Sequence, residues 1–280
     1  MNNNIDSNNN NKETPKTTNI KNNIIRKFYV NTFFSSNFQQ TEQFVSNVIS
    51  TSKYTLYNFI PLALLYQYAN FFNIFVLLNT IISCIKQLST VSPISAIVPF
   101  IIVTLINLIK EALEDYKKHK NDYEANNSKA VLFKSPNFFD SKWSKIKVGN
   151  IIKINKDDII PSDILVIKTS NENGYCYMQT TNLDGETNLK PIESIKKTNE
   201  LIKDDLHMMD KLFNFENENC KIEVDNPNNL IYEINGTLFI NKDEKIIFNI
   251  KNTLLRGSRL KNVDFIYGTK NHKPKLFFLF

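Results

Sequence analysis

Gly174-Tyr175-Cys176-Tyr177-Met178-Gln179-Thr180-Thr181-Asn182-Leu183-Asp184-Gly185-Glu186-Thr187-Asn188-Leu189-Lys190 holds the reading of this chain. Tyr175–Gln179 is a short β-like run, and Asp184-Gly185 is a turn dipeptide in which glycine supplies a positive φ. That reading accounts for the Asp and the Gly but not for the order of residues around them. Similar β-like runs lie on either side: Ala130–Phe133, Ile151–Ile154, Ile164–Lys168, Leu230–Ile234, Thr237–Ile240 and Lys245–Ile250. Turn residues divide them, among them Val148-Gly149-Asn150, Asn173-Gly174 and Asn235-Gly236. Helix is expected only around Pro191 to Phe213. The pattern from Lys129 onward predicts a mainly β domain of sandwich or jelly-roll type.

Upstream the character changes. Pro61 to Ile85 is mostly apolar, roughly 25 residues and enough to cross a bilayer core. A second run, Pro93 to Ile109, stops at Lys110-Glu111, and only Lys86 to Ser92 separates the two. The pair predicts a transmembrane helical hairpin with spans at about 64–85 and 93–110. Lys110, Lys117, Lys118 and Lys120 follow the second run, Arg26, Lys27 and Lys53 precede the first, and the loop offers only Lys86. The positive-inside rule then puts both termini in the cytosol. Glu111 to Lys120 reads as a helix continuing out of the second span, with Glu114 and Lys118 paired on a solvated face.

Composition narrows the classes. A net charge of +6 and a pI near 9.0 would permit nucleic-acid contact, but no RNA-binding aromatic motif or DNA-reading helix accompanies the charge. No nucleic-acid partner is expected. Cys84, Cys176 and Cys220 lie far apart, without the paired spacing of a zinc site, so no metal is expected. Residues 1–40, opening on an asparagine run, read as largely disordered. Residues 41–60 read as a cytosolic approach segment.

Thr181-Asn182-Leu183-Asp184-Gly185-Glu186-Thr187-Asn188-Leu189-Lys190 resembles, residue for residue, the actuator-loop signature of the lipid-flippase (type IV) branch of P-type ATPases. Cation pumps of that superfamily carry TGES at this turn. Ser52-Lys53-Tyr54 and Asn58-Phe59-Ile60-Pro61 resemble the family's approach to its first span, and Gln67 and Asn73 fall where it has Gln and Asn. Lys110 to Asp115, with His119 and Asp122, resemble its exit from the second. Trp143 with Ile146 to Ile152, then Ile222 to Gly236, then Leu254 to Asn262 carry the likeness through the β region. Asn150 stands where Asp is usual and Ser258 where Cys is customary. Leu62, Tyr66, Ala69 and Asn70 replace charged residues at the entrance to the first span.

The resemblance implies a two-helix transmembrane hairpin (61–113), a cytosolic, jelly-roll-like actuator domain (114–268) and a divergent tail (269–280). It implies that Glu186 orients or deprotonates the water that hydrolyses an aspartyl-phosphate. Gly185 allows close approach to the phosphorylated site, and Asp184 and Thr187 shape the loop. An exposed Glu beside a turn would otherwise be an ordinary surface charge. Asn79, Ser83, Lys86 and Gln87, at i, i+4, i+7 and i+8, are expected on one helical face, as candidate headgroup contacts; snorkelling of Lys86 accounts for that residue equally. Thr104, Asn107 and Glu111 make a similar stripe on the second span.

Further implications are a phospholipid substrate, ATP and Mg2+ in the full-length family, and an integral-membrane location in the plasma membrane or the Golgi and endosomal membranes. Expected partners are the phosphorylation and nucleotide domains of a full-length pump and an accessory membrane subunit. This chain contains no Asp-Lys-Thr-Gly-Thr motif. It is expected to bind no cofactor and not to hydrolyse ATP by itself. A P-type pump of another branch and a non-catalytic membrane protein retaining an actuator-like domain remain as alternatives.

Overall fold

The computed structural model describes residues 25–30, 46–85, 87–90, 92–202, 206–213, 220–225, 233–241 and 244–271. Within 1–40, expected to be largely disordered, Ile25–Tyr29 form β1 and pair antiparallel with a later strand. The expected run Leu230–Ile234 lies mostly outside the described residues, and Ile234 itself is not in a strand.

The first apolar stretch forms two helices, α1 (Phe59–Tyr68) and α2 (Phe71–Ser83), bent by 94° at their junction. This corrects the expectation of one continuous helix over 64–85. Local polar bonds compete with the helix there. The Asn70 side chain accepts from the Phe72 N–H, and Asn73 Nδ2 donates to the Gln67 carbonyl at 2.7 Å. α3 (Pro93–Asn127) is a single 35-residue helix, started by Ser92 as N-cap and by Pro93 in its first turn. Among the described residues it alone is long and apolar enough to cross a bilayer; α1 and α2 reach that length only together. Ile94, Ile102, Leu105, Ile106 and Ile109 of α3 are exposed, so nothing among the described residues covers this apolar surface.

The β domain follows as β2 (Lys129–Lys134), β3 (Asn137–Lys142), β4 (Ile151–Asn155), β5 (Ile164–Thr169) and β6 (Tyr175–Gln179). A one-turn helix α4 (Thr181–Asp184) leads to β7 (Leu189–Glu193), then α5 (Lys196–Ile202) and α6 (Leu206–Phe213). The remaining strands are β8 (Lys221–Asp225), β9 (Asn235–Asn241), β10 (Glu244–Asn249), β11 (Thr253–Leu254), β12 (Arg259–Lys261) and β13 (Phe265–Lys270). β13 runs two residues past Gly268, where the domain was expected to end.

Among the described residues three sheets form, ordered β11-β5-β13-β4-β2-β3, β1-β8-β9-β10 and β12-β6-β7. The six-stranded sheet is the middle layer. Its β5 is buried at every position, and alternation sends its side chains into two cores. Leu165 and Ile167, with Phe133 and Ile151, pack against β1, β8, β9, β10, α5 and α6. Ile164 and Val166, with Leu132, Ile152 and Ile266, pack against Cys176, Met178, Ile192 and Leu260 of the small sheet. Each fully buried Leu, Ile or Val contributes about 1.5–3 kcal/mol, so β6 and β7 sit on a stiff support.

Two local expectations change. Asn235-Gly236 is not a turn but the start of β9: the Phe248 ring lies where a Cβ on Gly236 would go, 2.3 Å away. Pro191, expected to open helix, sits in β7, an edge strand where a missing N–H costs no ladder bond.

Candidate functional site

The site is the loop Thr180–Asn188 between β6 and β7, whose last rung is Gln179 opposite Leu189. Cys176, Met178 and Ile192 bury one face of the hairpin and set the loop's direction. Thr180 is fully buried at the loop's root. The chain then makes the single turn of α4, and Leu183 packs towards the second core, against Gly257. Gly185 terminates the turn at φ +76°, in the left-handed region that favours glycine. No atom lies within 4 Å of a Cβ built there, so the demand at Gly185 is conformational, not steric.

Asp184 is the loop's internal hub. Its Oδ1 accepts from the Glu186 N–H at 3.0 Å, its Oδ2 accepts from Thr180 Oγ1 at 3.1 Å, and Lys190 Nζ lies 2.7 Å from the same Oδ2. Thr181 Oγ1 donates to the Glu186 carbonyl at 3.1 Å. Lys190 also reaches Glu186 Oε2 at 3.0 Å, so one ammonium bridges the two carboxylates. The Asp184 side chain is 23 % exposed and that of Glu186 57 %, so the first is held within the loop and the second projects from it. Thr187 is exposed beside it. The structure therefore brings Asp184, Gly185, Glu186 and Thr187 together on one tip. The motif contains Lys190, to which sequence reasoning gives no role; its opposite charge four residues after Glu186 is the signal that could have found it.

The candidate headgroup residues are less unified. Asn79 and Ser83 lie one turn apart in α2, but α2 ends at Ser83. The helical spacing therefore does not carry to Gln87, which is exposed in a turn, and Lys86 lies outside the described residues. The stripe on α3 has partners: Thr104 Oγ1 is 3.3 Å from the Tyr68 hydroxyl, and Glu111 Oε1 accepts from the Tyr54 hydroxyl at 3.0 Å. Burial, then the Glu111 carboxylate, push the Tyr54 phenol up to about 12, so it remains a donor at neutral pH.

No group of three His, Cys, Asp or Glu among the described residues converges as a metal site. A cleft of about 210 Å³ between Gly174 and Glu200 is walled by Glu172, Glu193 and Glu200 around a single Lys196. That carboxylate lining repels a nucleotide's phosphates, so this cleft does not suit ATP.

Residues 5–97 match the family described as phospholipid-translocating ATPase N-terminal. The chain is 34% identical over 230 residues to the probable phospholipid-transporting ATPase 11 of Arabidopsis thaliana, covering 82% of this chain and 18% of that protein. It is 34% identical over 226 residues to the human phospholipid-transporting ATPase IC, covering 81% and 17%. It is 32% identical over 238 residues to phospholipid-transporting ATPase C887.12 of Schizosaccharomyces pombe, covering 83% and 18%. The chain thus spans about one fifth of the length of these relatives. Taken with the Asp184–Thr187 tip, these likenesses place the chain in the phospholipid-transporting (type IV) P-type ATPase family, as its N-terminal part.

Proposed function

We propose that this chain is the transmembrane-hairpin and actuator part of an ATP-driven phospholipid translocase, and that Glu186 drives hydrolysis of the aspartyl-phosphate formed elsewhere in the pump. The observation that carries this is the Glu186 carboxylate, held out from a rigid β hairpin by Asp184 and Lys190. Hydrolysis of an acyl phosphate needs a positioned water and a proton acceptor more than covalent help. Glu186 accepts the water's proton, Asp184 keeps the Glu186 backbone in place, and Gly185 lets the tip turn. ATP and Mg2+ act at domains beyond this chain, and phospholipid passes beside the spans.

The test is Glu186→Gln in a full-length phospholipid-transporting ATPase whose N-terminal part is replaced by this segment. The amide keeps size but cannot take the proton. Phosphoenzyme should form and persist, with its decay slowed on the order of 10²–10⁴-fold. Decay at the parent's rate would refute the assignment.

Both termini are cytosolic in this reading, in the plasma membrane or a Golgi or endosomal membrane. A Thr90→Cys variant on a Cys84→Ser background tests the orientation. Cys176 and Cys220 are buried, and burial pushes the Cys176 thiol up to about 12 and that of Cys220 higher still, so neither competes for reagent. An impermeant maleimide applied to the outer or lumenal side should label Thr90→Cys; labelling solely from the cytosolic side overturns the topology.

A further inference from the structure

Residues 49–55 lie outside any helix or sheet, so their backbone donors need partners from elsewhere. Those of Ile49, Thr51, Ser52 and Lys53 find them on one face of α3. Asn126 brackets Ile49, accepting from its N–H and donating to its carbonyl, both at 2.8 Å. Asp122 Oδ2 accepts from the Thr51 N–H at 2.7 Å and the Ser52 N–H at 3.1 Å, while its Oδ1 accepts from Thr51 Oγ1 at 2.7 Å. Asp115 Oδ1 accepts from the Lys53 N–H at 3.0 Å, and His119 Nε2 lies 2.9 Å from the Tyr54 carbonyl. Glu111 closes the series on the Tyr54 hydroxyl at 3.0 Å.

Spacings of 4, 4, 3 and 4 from Glu111 to Asn126 follow helical periodicity, and the segment runs antiparallel to α3. Asp115 and Asp122 are 8 % and 7 % exposed, so their charges are used on these amides and not on water. One end of the segment is fixed in the β domain. Asn47 Nδ2 donates to the Trp143 and Pro161 carbonyls at 2.9 and 3.2 Å, and its Oδ1 accepts from Lys270 Nζ at 2.8 Å. The other end enters α1 at Phe59.

From this arrangement we propose that Glu111, Asp115, Asp122 and Asn126 are positioning residues. They form a clasp that fastens the approach segment to α3, so that a movement of the β domain pulls on α1 and α3 as one lever. The proposal rests on the translocase reading, because it names how the domain's swing reaches the first apolar stretch. Without the clasp, residues 49–55 would be a slack tether, and the swing would act on α3 alone.

Hydrogen exchange on the 280-residue chain in phosphatidylcholine nanodiscs tests the contacts. Asp122→Asn presents one acceptor oxygen where the carboxylate presents two, and should speed exchange of the Thr51 and Ser52 amides at least tenfold while Trp143 emission stays unchanged. The same variant in the full-length chimera tests the coupling. Phospholipid moved per ATP hydrolysed should fall threefold or more, with phosphoenzyme decay unchanged, whereas a merely structural role lowers transport and hydrolysis together. Unchanged amide exchange, or an unchanged lipid-to-ATP ratio once the amides are freed, overturns the clasp. Should Asp122→Asn shift Trp143 emission, Glu111→Leu, which removes the acceptor of the Tyr54 hydroxyl and the 3.9 Å ion pair to Lys53, takes its place: a fallen ratio supports the clasp and an unchanged one overturns it. A Glu186→Gln pump that fails to accumulate phosphoenzyme overturns the catalytic reading alone, because the ratio is read without it.

Discussion

At the residue scale, Lys190 does two things whose sizes differ. Its ion pairs to Asp184 and Glu186 are partly exposed, with 27 % of the Lys190 side chain accessible, and contribute about 0–1 kcal/mol to folding. In the proposed role of Glu186, its effect on where that carboxylate points is larger, since reaction rates are steep in placement. Lys190→Met should therefore leave the unfolding midpoint nearly unchanged while slowing phosphoenzyme decay on the order of 10–100-fold in the chimeric pump. Asp184→Asn should slow decay as well and also lower stability, because Asp184 oxygens hold Thr180, the Glu186 N–H and Lys190 together. Unaltered decay in Lys190→Met would show that Glu186 needs no tether. That the chain turns at Asp184-Gly185 was legible because the pair signals a turn in any context, whereas Glu186 and Thr187 were singled out by the family resemblance alone. The hub was not, since it depends on α4 bringing Asp184 back over the Glu186 N–H. Nothing in the residue order shows that a nine-residue loop will contain a helical turn.

At the element scale, Gly268 decides how closely β13 sits against β5. A Cβ there would lie 2.3 Å from Ile164 Cγ2 and 2.7 Å from the Leu165 carbonyl oxygen, and the second contact is backbone that cannot swing aside. The ladder shifts register at this point, between Tyr267 and Gly268. Gly268→Ala should cost about 1–3 kcal/mol through overpacking. Gly185→Ala, with open space but a φ of +76°, should cost about 1 kcal/mol through backbone strain alone. Denaturant unfolding followed by Trp143, the chain's single tryptophan, measures both; equal costs would mean that the β13–β5 spacing can relax. Strands with continuous β-branched runs, such as β4 and β5, were readable from composition. β7 was hidden by Pro191, and the α1–α2 break by two asparagines, Asn70 and Asn73, inside an otherwise apolar run. In each case a tertiary or local polar bond outweighed the average character of the window.

At the scale of the whole molecule, the approach segment meets β13 and the connections around the six-stranded sheet at one buried polar junction, and that junction was invisible in the sequence because its members, at 47, 143–146, 161–163, 256 and 270, come from distant stretches. Asn47 links Trp143, Pro161 and Lys270, while the Asp163 carboxylate accepts from the Arg256 N–H at 2.9 Å. Lys270 is fully buried, and its Nζ also donates to the Ile146 carbonyl at 3.2 Å. Burial, then the nearby Arg256 guanidinium, push its ammonium down to about 7, and the Asp163 carboxylate offsets only part of this. An unfolded lysine holds its proton up to about pH 10.4, so between about pH 7 and that value the unfolded chain binds a proton that the folded chain does not. Stability must then rise with pH across this window, by up to about 1.4 kcal/mol per pH unit for one whole proton. Below pH 7 both states are protonated, and the cost of burying the ammonium is felt in full. Lys270→Met removes the titration while leaving Asn47 Oδ1 and the Ile146 carbonyl without their donor, so its mean stability is a balance of two opposed effects. Its slope is not. Between pH 7 and 9 the parent should gain about 2 kcal/mol more than the variant, read by denaturant unfolding at each pH with Trp143 emission. Parallel curves for the two would mean that Lys270 keeps its proton in the folded protein, and that Asp163 compensates its charge more completely than the burial around it allows.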